Sequence, residues 1–82
     1  MDAVVKALAE PRRREIFRLL RDDEATVSDI AEQFPGSRPA ISQHLRVLQD
    51  ADLVTVRSAG TRRYHRARPE GFGELRSWLD DF

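Results

Sequence analysis

The sequence has 82 residues, with 14 basic and 14 acidic side chains and no cysteine. We expect residues 1–82 to form one domain, so small that folding hides only about 60% of its surface and a second copy would help to bury the rest. The lack of cysteine excludes disulfides and thiolate metal sites, and no apolar run approaches the ~20 residues of a membrane span. The N-terminal segment is too acidic and too poor in apolar residues for a signal peptide, so a soluble cytoplasmic protein is expected.

Charge is unevenly distributed along the chain, although its sum is zero. Residues 38–68 contain seven arginines against Asp50 and Asp52, whereas acids outnumber bases in residues 1–37 and in residues 69–82. A neutral protein with one basic segment between acidic flanks presents a positive patch, and such a patch suits phosphate groups.

Apolar spacing predicts two helices in the N-terminal part. The first covers residues 2–9 and has an apolar stripe of Val4, Val5 and Leu8. Pro11 opens the second, because the missing N–H of proline costs nothing at a first-turn position. The inward face of this second helix consists of Ile16, Leu19 and Leu20, and the acidic run at 22–24 ends it.

The next two predicted helices form a helix-turn-helix. Thr26 and Asp29 have the spacing of a capping box at the start of a third helix, and Pro35-Gly36 stops that helix. Ser37 then caps a fourth helix over about 38–50. Two helices joined by a turn of three or four residues make the motif.

Two strands and a last helix complete the predicted order. Residues 53–58 and 61–67 alternate as strands do, around a hairpin turn at Ala59-Gly60. The apolar side chains at helical spacing in residues 70–82 are Phe72, Leu75, Trp78, Leu79 and Phe82. The predicted fold is therefore mainly α with a β-hairpin, in the order α-α-α-α-β-β-α.

This order and four segments of the chain resemble the ArsR/SmtB family of dimeric winged helix-turn-helix repressors. The segments are ALAEPRRREIFRLL, TVSDIAEQF, SRPAISQHLRVLQDADLV and GTRRYHR, and the match covers nearly the whole chain. The third segment is the most specific, because amphipathicity alone does not produce its pattern of small cap, proline, serine, His-Leu, Val-Leu and Leu-Val. The closest resemblance is to a short branch with an ALA-x-P-x-RR opening, many of whose members repress their own operons without an evident metal.

The resemblance implies that the fourth helix enters the major groove of double-stranded DNA, and that the hairpin, or wing, touches the backbone or the minor groove. Arginine can fork onto guanine and glutamine onto adenine, whereas Arg46 suits a phosphate because recognition helices read bases near their N-terminal end. Arg62 and Arg63 point to opposite faces of one strand, so only one of them can face DNA easily. The predicted DNA-binding residues are Ser37, Arg38, Pro39, Ser42, Gln43, Arg46, Thr61, Arg62 and Arg63.

The resemblance also implies that the first and last helices build a homodimer. The predicted interface residues are Val4, Val5, Leu8, Leu75, Trp78, Leu79 and Phe82. A two-fold partner would place the two recognition helices one DNA turn apart on an inverted-repeat operator. The alternative for Trp78 is that it seals the core of a single chain.

No metal site and no cofactor are expected. The cysteine pair of the family's metal-sensing members aligns with Thr26 and Ser28, and their second site needs a histidine that the last helix lacks. His44 and His65 are not spaced as a ligand pair, and packing or hydrogen bonding explains them better. An effector, if the protein has one, would be an unidentified small molecule or protein.

Two function classes stay open, and an enzyme is disfavoured. The first is a DNA-binding regulator, and the alternative is a winged-helix module that binds protein without DNA. Ser42 and His44 cannot form a hydrolase pair, because residues two apart on a helix point about 200° apart. The arginines of the PRRRE run at 11–15 are interpreted as a solvated helix face, with a phosphate contact as the alternative.

Overall fold

The computed structural model describes all 82 residues, and its elements follow the predicted order. Four helices come first: α1 (Asp2–Leu8), α2 (Pro11–Asp22), α3 (Val27–Gln33) and α4 (Arg38–Asp50). They are followed by β1 (Val54–Ala59), β2 (Arg62–Ala67), a 3-10 turn (Pro69–Phe72) and α5 (Gly73–Asp80). None of the helices combines the length and the apolar composition that crossing a membrane requires.

The predicted caps fix where the helix-turn-helix begins and turns. The hydroxyl of Thr26 accepts a hydrogen bond from the Asp29 amide at 3.1 Å, and the Asp29 carboxylate accepts one from the Thr26 amide at 3.0 Å. The Ser37 hydroxyl accepts from the amide of Ala40 at 3.3 Å. Each cap satisfies a donor that the helix itself cannot, and such a cap is typically worth about 1 kcal/mol.

The core is built around α4, which packs against α1, α2, α3 and β1. Its apolar face is fully buried at Ile41, Leu45 and Leu48. The other fully buried large side chains are Ile16, Leu20, Ile30 and Leu53. Burying each aliphatic side chain of this size contributes about 1.5–3 kcal/mol, so the position of α4 is held from several directions.

The wing is an antiparallel hairpin in which Val54 pairs with Ala67 and Ala59 pairs with Arg62. This register makes Gly60-Thr61 the turn, one residue later than predicted. Two-residue hairpin turns need positive φ at a central residue, and Gly60, at φ 63°, supplies it. The base of the wing is joined to the α2–α3 loop by a β-bridge between Ala25 and His65.

The last segment differs from the single predicted helix. Residues 69–72 form a 3-10 turn, in which Phe72 packs edge-on against Phe17 with ring centroids 5.1 Å apart. Gly71 lies so near the corner at Asp52 that a Cβ there would come within 2.9 Å of the Leu53 Cδ2 and closer still to the Asp52 carbonyl oxygen. The 3-10 turn is therefore packed tightly against this corner before α5 begins.

Candidate nucleic-acid interface

One face of α4 points away from the core and carries four of the predicted DNA-binding side chains. At 100° per residue, Pro39, Ser42, Gln43 and Arg46 fall within an arc of about 100°. All four are exposed. The buried face of the same helix lies on the other side, so the core presents this arc outward.

A cleft of about 660 Å³ lies between α3, α4 and the wing. Five of the predicted DNA-binding residues line it: Ser42, Arg46, Thr61, Arg62 and Arg63. The remaining four, Ser37, Arg38, Pro39 and Gln43, are exposed around the first turns of α4 and lie outside the cleft. The structure thus divides the predicted set between the cleft and the exposed start of the helix.

The charge in the cleft is positive. Arg46, Arg62 and Arg63 line it against a single carboxylate, that of Asp29. Hydrogen bonds from the backbone and hydroxyl of Thr26 hold the pKa of Asp29 below its usual 3.8, so this acid is ionised and committed to the cap. Arg46 pairs with Asp50 at 3.5 Å, but both side chains are exposed and such pairs are weak. Arg46 is therefore free to exchange this partner for a phosphate.

Both wing arginines reach the cleft, although they lie on opposite faces of β2. Arg63 lies on the same face of β2 as the buried His65, and Arg62 lies on the opposite face. Both residues lie next to the hairpin turn, at the free end of the wing. Strand alternation therefore does not separate the two as expected, and either can meet a phosphate in the cleft.

Gln49 also lines the cleft and was not among the predicted residues. It follows Ser42 by seven positions, which is two helical turns, so the two side chains share a face of α4. The seven-residue spacing from Ser42 could therefore have identified Gln49 from the sequence. The cleft also includes Thr26 and Ser28 from the start of α3, which only the tertiary packing brings next to the wing.

Not every arginine of the basic segment contributes to this surface. Arg57 donates a hydrogen bond to Glu24 at 2.8 Å and lies 4.7 Å from the ring centroid of Tyr64. Arg66 and Arg57 line a separate, smaller depression. Arg68 donates to the carbonyl of Asp52 at 3.3 Å. The positive patch is thus narrower than the charge distribution along the chain predicts.

The PRRRE run is not simply the solvated face predicted. Arg12 pairs with Glu15 at 3.0 Å and lies over the ring of Phe34. Arg13 and Arg14 instead donate hydrogen bonds to carbonyl groups at the end of α1. Helix carbonyls in the last turn have no partner within the helix, so these arginines supply one. None of the three lines the cleft.

The predicted interface residues divide into buried and exposed groups. Val4 is only 7% exposed and belongs to the core of the single chain, so it offers little surface to a partner. Leu8 and Leu75 are half-buried against the same core. The exposed members are Val5 (49%), Trp78 (49%), Leu79 (55%) and Phe82 (91%).

Exposed apolar side chains lie on α5, just after it and on α1. Trp78 and Phe82 are in ring contact, with centroids 4.9 Å apart. The Met1 ammonium lies 3.3 Å from a carboxylate oxygen of Glu74, which brings the start of α1 beside the start of α5. Trp78 is half exposed, so it does not seal the core of the single chain. We call Val5, Trp78, Leu79 and Phe82 the apolar patch.

The histidines pack as the sequence predicts. His65 is buried in β2, and its Nδ1 lies 3.3 Å from the Ala25 carbonyl. His44 lies on α4 with its Nδ1 3.4 Å from a guanidinium nitrogen of Arg13. No group of three or more His, Cys, Asp or Glu side chains is arranged to hold a metal ion.

Comparison with known proteins places this geometry in a family. A model described as a helix-turn-helix domain matches residues 8–57. The chain is 46% identical to the HTH-type transcriptional regulator Rv2034 of Mycobacterium tuberculosis, over 99% of this chain and 76% of that protein. It is 34% identical to the transcriptional repressor SdpR of Bacillus subtilis, over 100% of this chain and 91% of that protein.

A solved structure agrees with the sequence matches. The homodimeric winged helix-turn-helix DNA-binding domain of Mb0332 from Mycobacterium bovis, a possible ArsR-family regulator, superposes with a TM-score of 0.80. The two are 34% identical, and the match covers 96% of this chain and 73% of that one. The four-helix order, the wing and these relatives together establish that the chain belongs to the ArsR family of winged helix-turn-helix transcriptional regulators.

Proposed function

We propose that this protein is a homodimeric, sequence-specific repressor of its own or an adjacent operon, acting in the cytoplasm on an inverted-repeat operator. The observation that carries the proposal is the cleft between α4 and the wing. Three arginines and the hydroxyls of Ser42 and Thr61 line it, next to an exposed helix face that offers Gln43. Charged and hydroxyl side chains position a duplex through its phosphates, whereas side chains at the start of a recognition helix read base edges.

The roles follow from position. Arg38 and Gln43 lie at the N-terminal part of α4 and are exposed, so they are assigned to base edges. Arg46, Arg62 and Arg63 line the cleft and are assigned to phosphates. Ser37 is assigned to the cap of α4. Pro39 and Ser42 are assigned to the surface of α4 that enters the major groove of DNA.

Dimerisation is supported by the apolar patch. Large exposed apolar side chains clustered on one surface mark an interaction site. Mb0332, which resembles this chain, is a homodimer, and SdpR is a transcriptional repressor. A copy related by two-fold symmetry would cover the patch with its own patch and present two recognition helices to one duplex. The release signal is assigned to an unidentified small molecule or protein.

The test is selection of duplexes from a random pool, followed by a salt titration on the selected sequence. A dimer in which three arginines per chain meet phosphates gives a slope of about −5 in log affinity against log salt. Arg63→Ala should make the slope less negative by about 2, because both subunits lose a contact. Arg66→Ala, on the same strand but outside the cleft, should leave the slope unchanged.

Two results would overturn the proposal. If no duplex is enriched and no binding is detected at low salt, the chain is instead a winged-helix module that binds protein. If Arg66→Ala changes the slope as much as Arg63→Ala does, the cleft is not the phosphate-binding surface.

A further inference from the structure

Arg13 joins three helices at one point. Its Nε donates a hydrogen bond to the carbonyl oxygen of Ala7 at 2.7 Å, and a terminal nitrogen donates to that of Lys6 at 3.2 Å. The other terminal nitrogen lies 3.4 Å from the Nδ1 of His44. One side chain on α2 thus holds the last turn of α1 and a side chain of α4 together.

The chemistry of the two groups fixes the direction of this contact. A guanidinium has only donors, so the Nδ1 of His44 must be the acceptor. In the neutral imidazole the proton then resides on Nε2. Because the donors of arginine form a rigid planar fork, the contact sets the orientation of α1 relative to α4 as well as their distance.

Helix α1 depends on contacts of this kind. It has seven residues, no side-chain cap at its start, and only Val4 and Ala7 are buried. Isolated helices this short are not stable in water, so neighbouring elements determine where α1 lies. Val4 and Ala7, together with the half-buried Leu8, pack α1 against the core, and the Arg13 fork adds directional hydrogen bonds to this apolar contact.

We call the contacts of Arg13 with the α1 carbonyls and with His44 the link. Its two ends lie on different parts of the molecule. His44 lies about 160° around α4 from Arg46, on the side away from the exposed arc, and it is half-buried. Helix α1 carries Val5, a member of the apolar patch. The link therefore connects the back of the recognition helix to the helix that carries part of the proposed dimer interface.

We infer that Arg13 is a positioning residue that fixes α1 against α4 through His44, and so sets the spacing and angle between the two recognition helices of a dimer. This inference rests on the proposed function, since a spacing exists only if two copies bind one duplex. Its measurable consequence is discrimination between operators whose half-sites are differently spaced.

Arg14 offers a matched control within the same helix. It also donates to a carbonyl at the end of α1, that of Leu8 at 2.7 Å, but makes no hydrogen bond to α4. Arg14→Ala therefore removes an arginine and a capping bond without removing the link. Arg13→Ala removes both kinds of contact.

The experiment compares two duplexes: the one selected by the wild-type protein, and the same duplex with one base pair inserted between its half-sites. The insertion rotates one half-site by about 35° and moves it by about 3.4 Å. We expect the wild-type protein and Arg14→Ala to bind the selected duplex at least about 10-fold more tightly than the altered one. We expect Arg13→Ala and His44→Ala to lose most of that preference, at concentrations where circular dichroism and sedimentation show folded dimers.

Two variants of His44 keep the test decisive if Arg13→Ala does not fold. His44→Ala leaves both α1 carbonyl contacts in place, and His44→Asn restores an acceptor near the position of Nδ1. We expect the first to lose the spacing preference and the second to recover it. In a double-mutant cycle, Arg13→Ala combined with His44→Ala should be no worse than Arg13→Ala alone, because the contact with His44 is already lost in that variant.

The outcomes separate the two proposals. If the wild-type protein binds no duplex, or binds half-sites without regard to spacing, the proposed function fails. If the wild-type protein has a spacing preference that His44→Ala keeps, or that Arg14→Ala loses as fully as Arg13→Ala does, the link alone is overturned and Arg13 is only a helix cap.

Discussion

Arg57 on β1 donates two hydrogen bonds to the carboxylate of Glu24 in the loop between α2 and α3. The two residues are 33 positions apart in sequence. Together with the backbone bridge between Ala25 and His65, this pair anchors the base of the wing to the helix-turn-helix. The wing is therefore fixed against the loop that leads into α3.

The ion pair predicts a pH dependence. Hydrogen bonds from Arg57 hold the pKa of Glu24 below its usual 4.5. A carboxylate with a lowered pKa in the folded state contributes its full stabilisation above pH 4.5 and loses it as the pH falls through the lowered value. We expect the difference in unfolding free energy between the wild-type protein and Glu24→Gln to be constant above pH 4.5 and to shrink below it. Glu32→Gln, which removes another exposed carboxylate, is the control for the loss of one surface charge.

The burial of His65 predicts that stability also depends on pH in a higher range. Burial lowers the pKa of this imidazole below 6.5, even though its contact with Ala25 acts in the opposite direction. As the pH falls below 6.5 the unfolded chain takes up a proton that the folded protein resists, so stability decreases until the lowered pKa is reached. We expect denaturant titrations of His65→Phe to lack this decrease. If stability still decreases below pH 6.5 in the variant to the same extent, a group other than His65 is responsible.

The positions of Gln43 and Arg46 predict different effects on DNA recognition. Gln43→Ala should change sequence preference, because a lost bidentate base contact removes about 1–3 kcal/mol of discrimination. Arg46→Ala should weaken all duplexes to a similar extent, since a phosphate contact carries no direct sequence information. Competition binding against single-base variants of the selected duplex measures both. If only Arg46→Ala alters the preferred bases, the assigned orientation of α4 is wrong.

The apolar patch predicts the effect of removing Trp78. A large aromatic residue at the centre of an interface typically contributes at least about 2 kcal/mol, so Trp78→Ala should weaken the dimer roughly 30-fold. Sedimentation at several protein concentrations measures this constant, and circular dichroism should show helical content largely retained. Arg76→Ala, an exposed change on the same helix, serves as the control. A wild-type protein that is monomeric at tens of micromolar while binding a single half-site tightly would rule out the dimer.

Metal ions should not release this regulator from DNA. The hydroxyl of Thr26, at one of the positions aligned with the cysteine pair of metal sensors, is engaged in the α3 cap. Hydroxyls are poor ligands for thiophilic ions. We expect Zn(II) and As(III) at micromolar concentrations to leave operator affinity unchanged in a gel-shift assay. Dissociation by either ion would contradict this.

Local signals predicted most of the fold. The capping box at Thr26, the Ser37 cap and the proline at the start of α2 act through bonds within one turn, so they are readable from neighbouring residues. The period of the apolar residues likewise gave the buried face of α4. Elements whose boundaries depend on such signals begin where expected.

The remaining features depend on contacts between distant segments. Val4 has the same apolar character as Val5, and only the packing of α1 shows that Val4 is buried. The contacts of Arg13 and of Arg57 reach across 31 and 33 positions, so no spacing rule could assign them. The close approach of Gly71 to the corner at Asp52 likewise joins distant segments, and periodicity does not record it.

The close approach of Gly71 to the corner at Asp52 limits how this domain can be recombined with its relatives. A chimera that takes its C-terminal helix from another family member joins the two parents near this point. With a side chain larger than hydrogen at position 71, the backbone at Asp52 must move. That residue already has a positive φ of 59°, so it has little freedom to adjust. Exchange of C-terminal helices is therefore best made with the corner and Gly71 inherited from one parent.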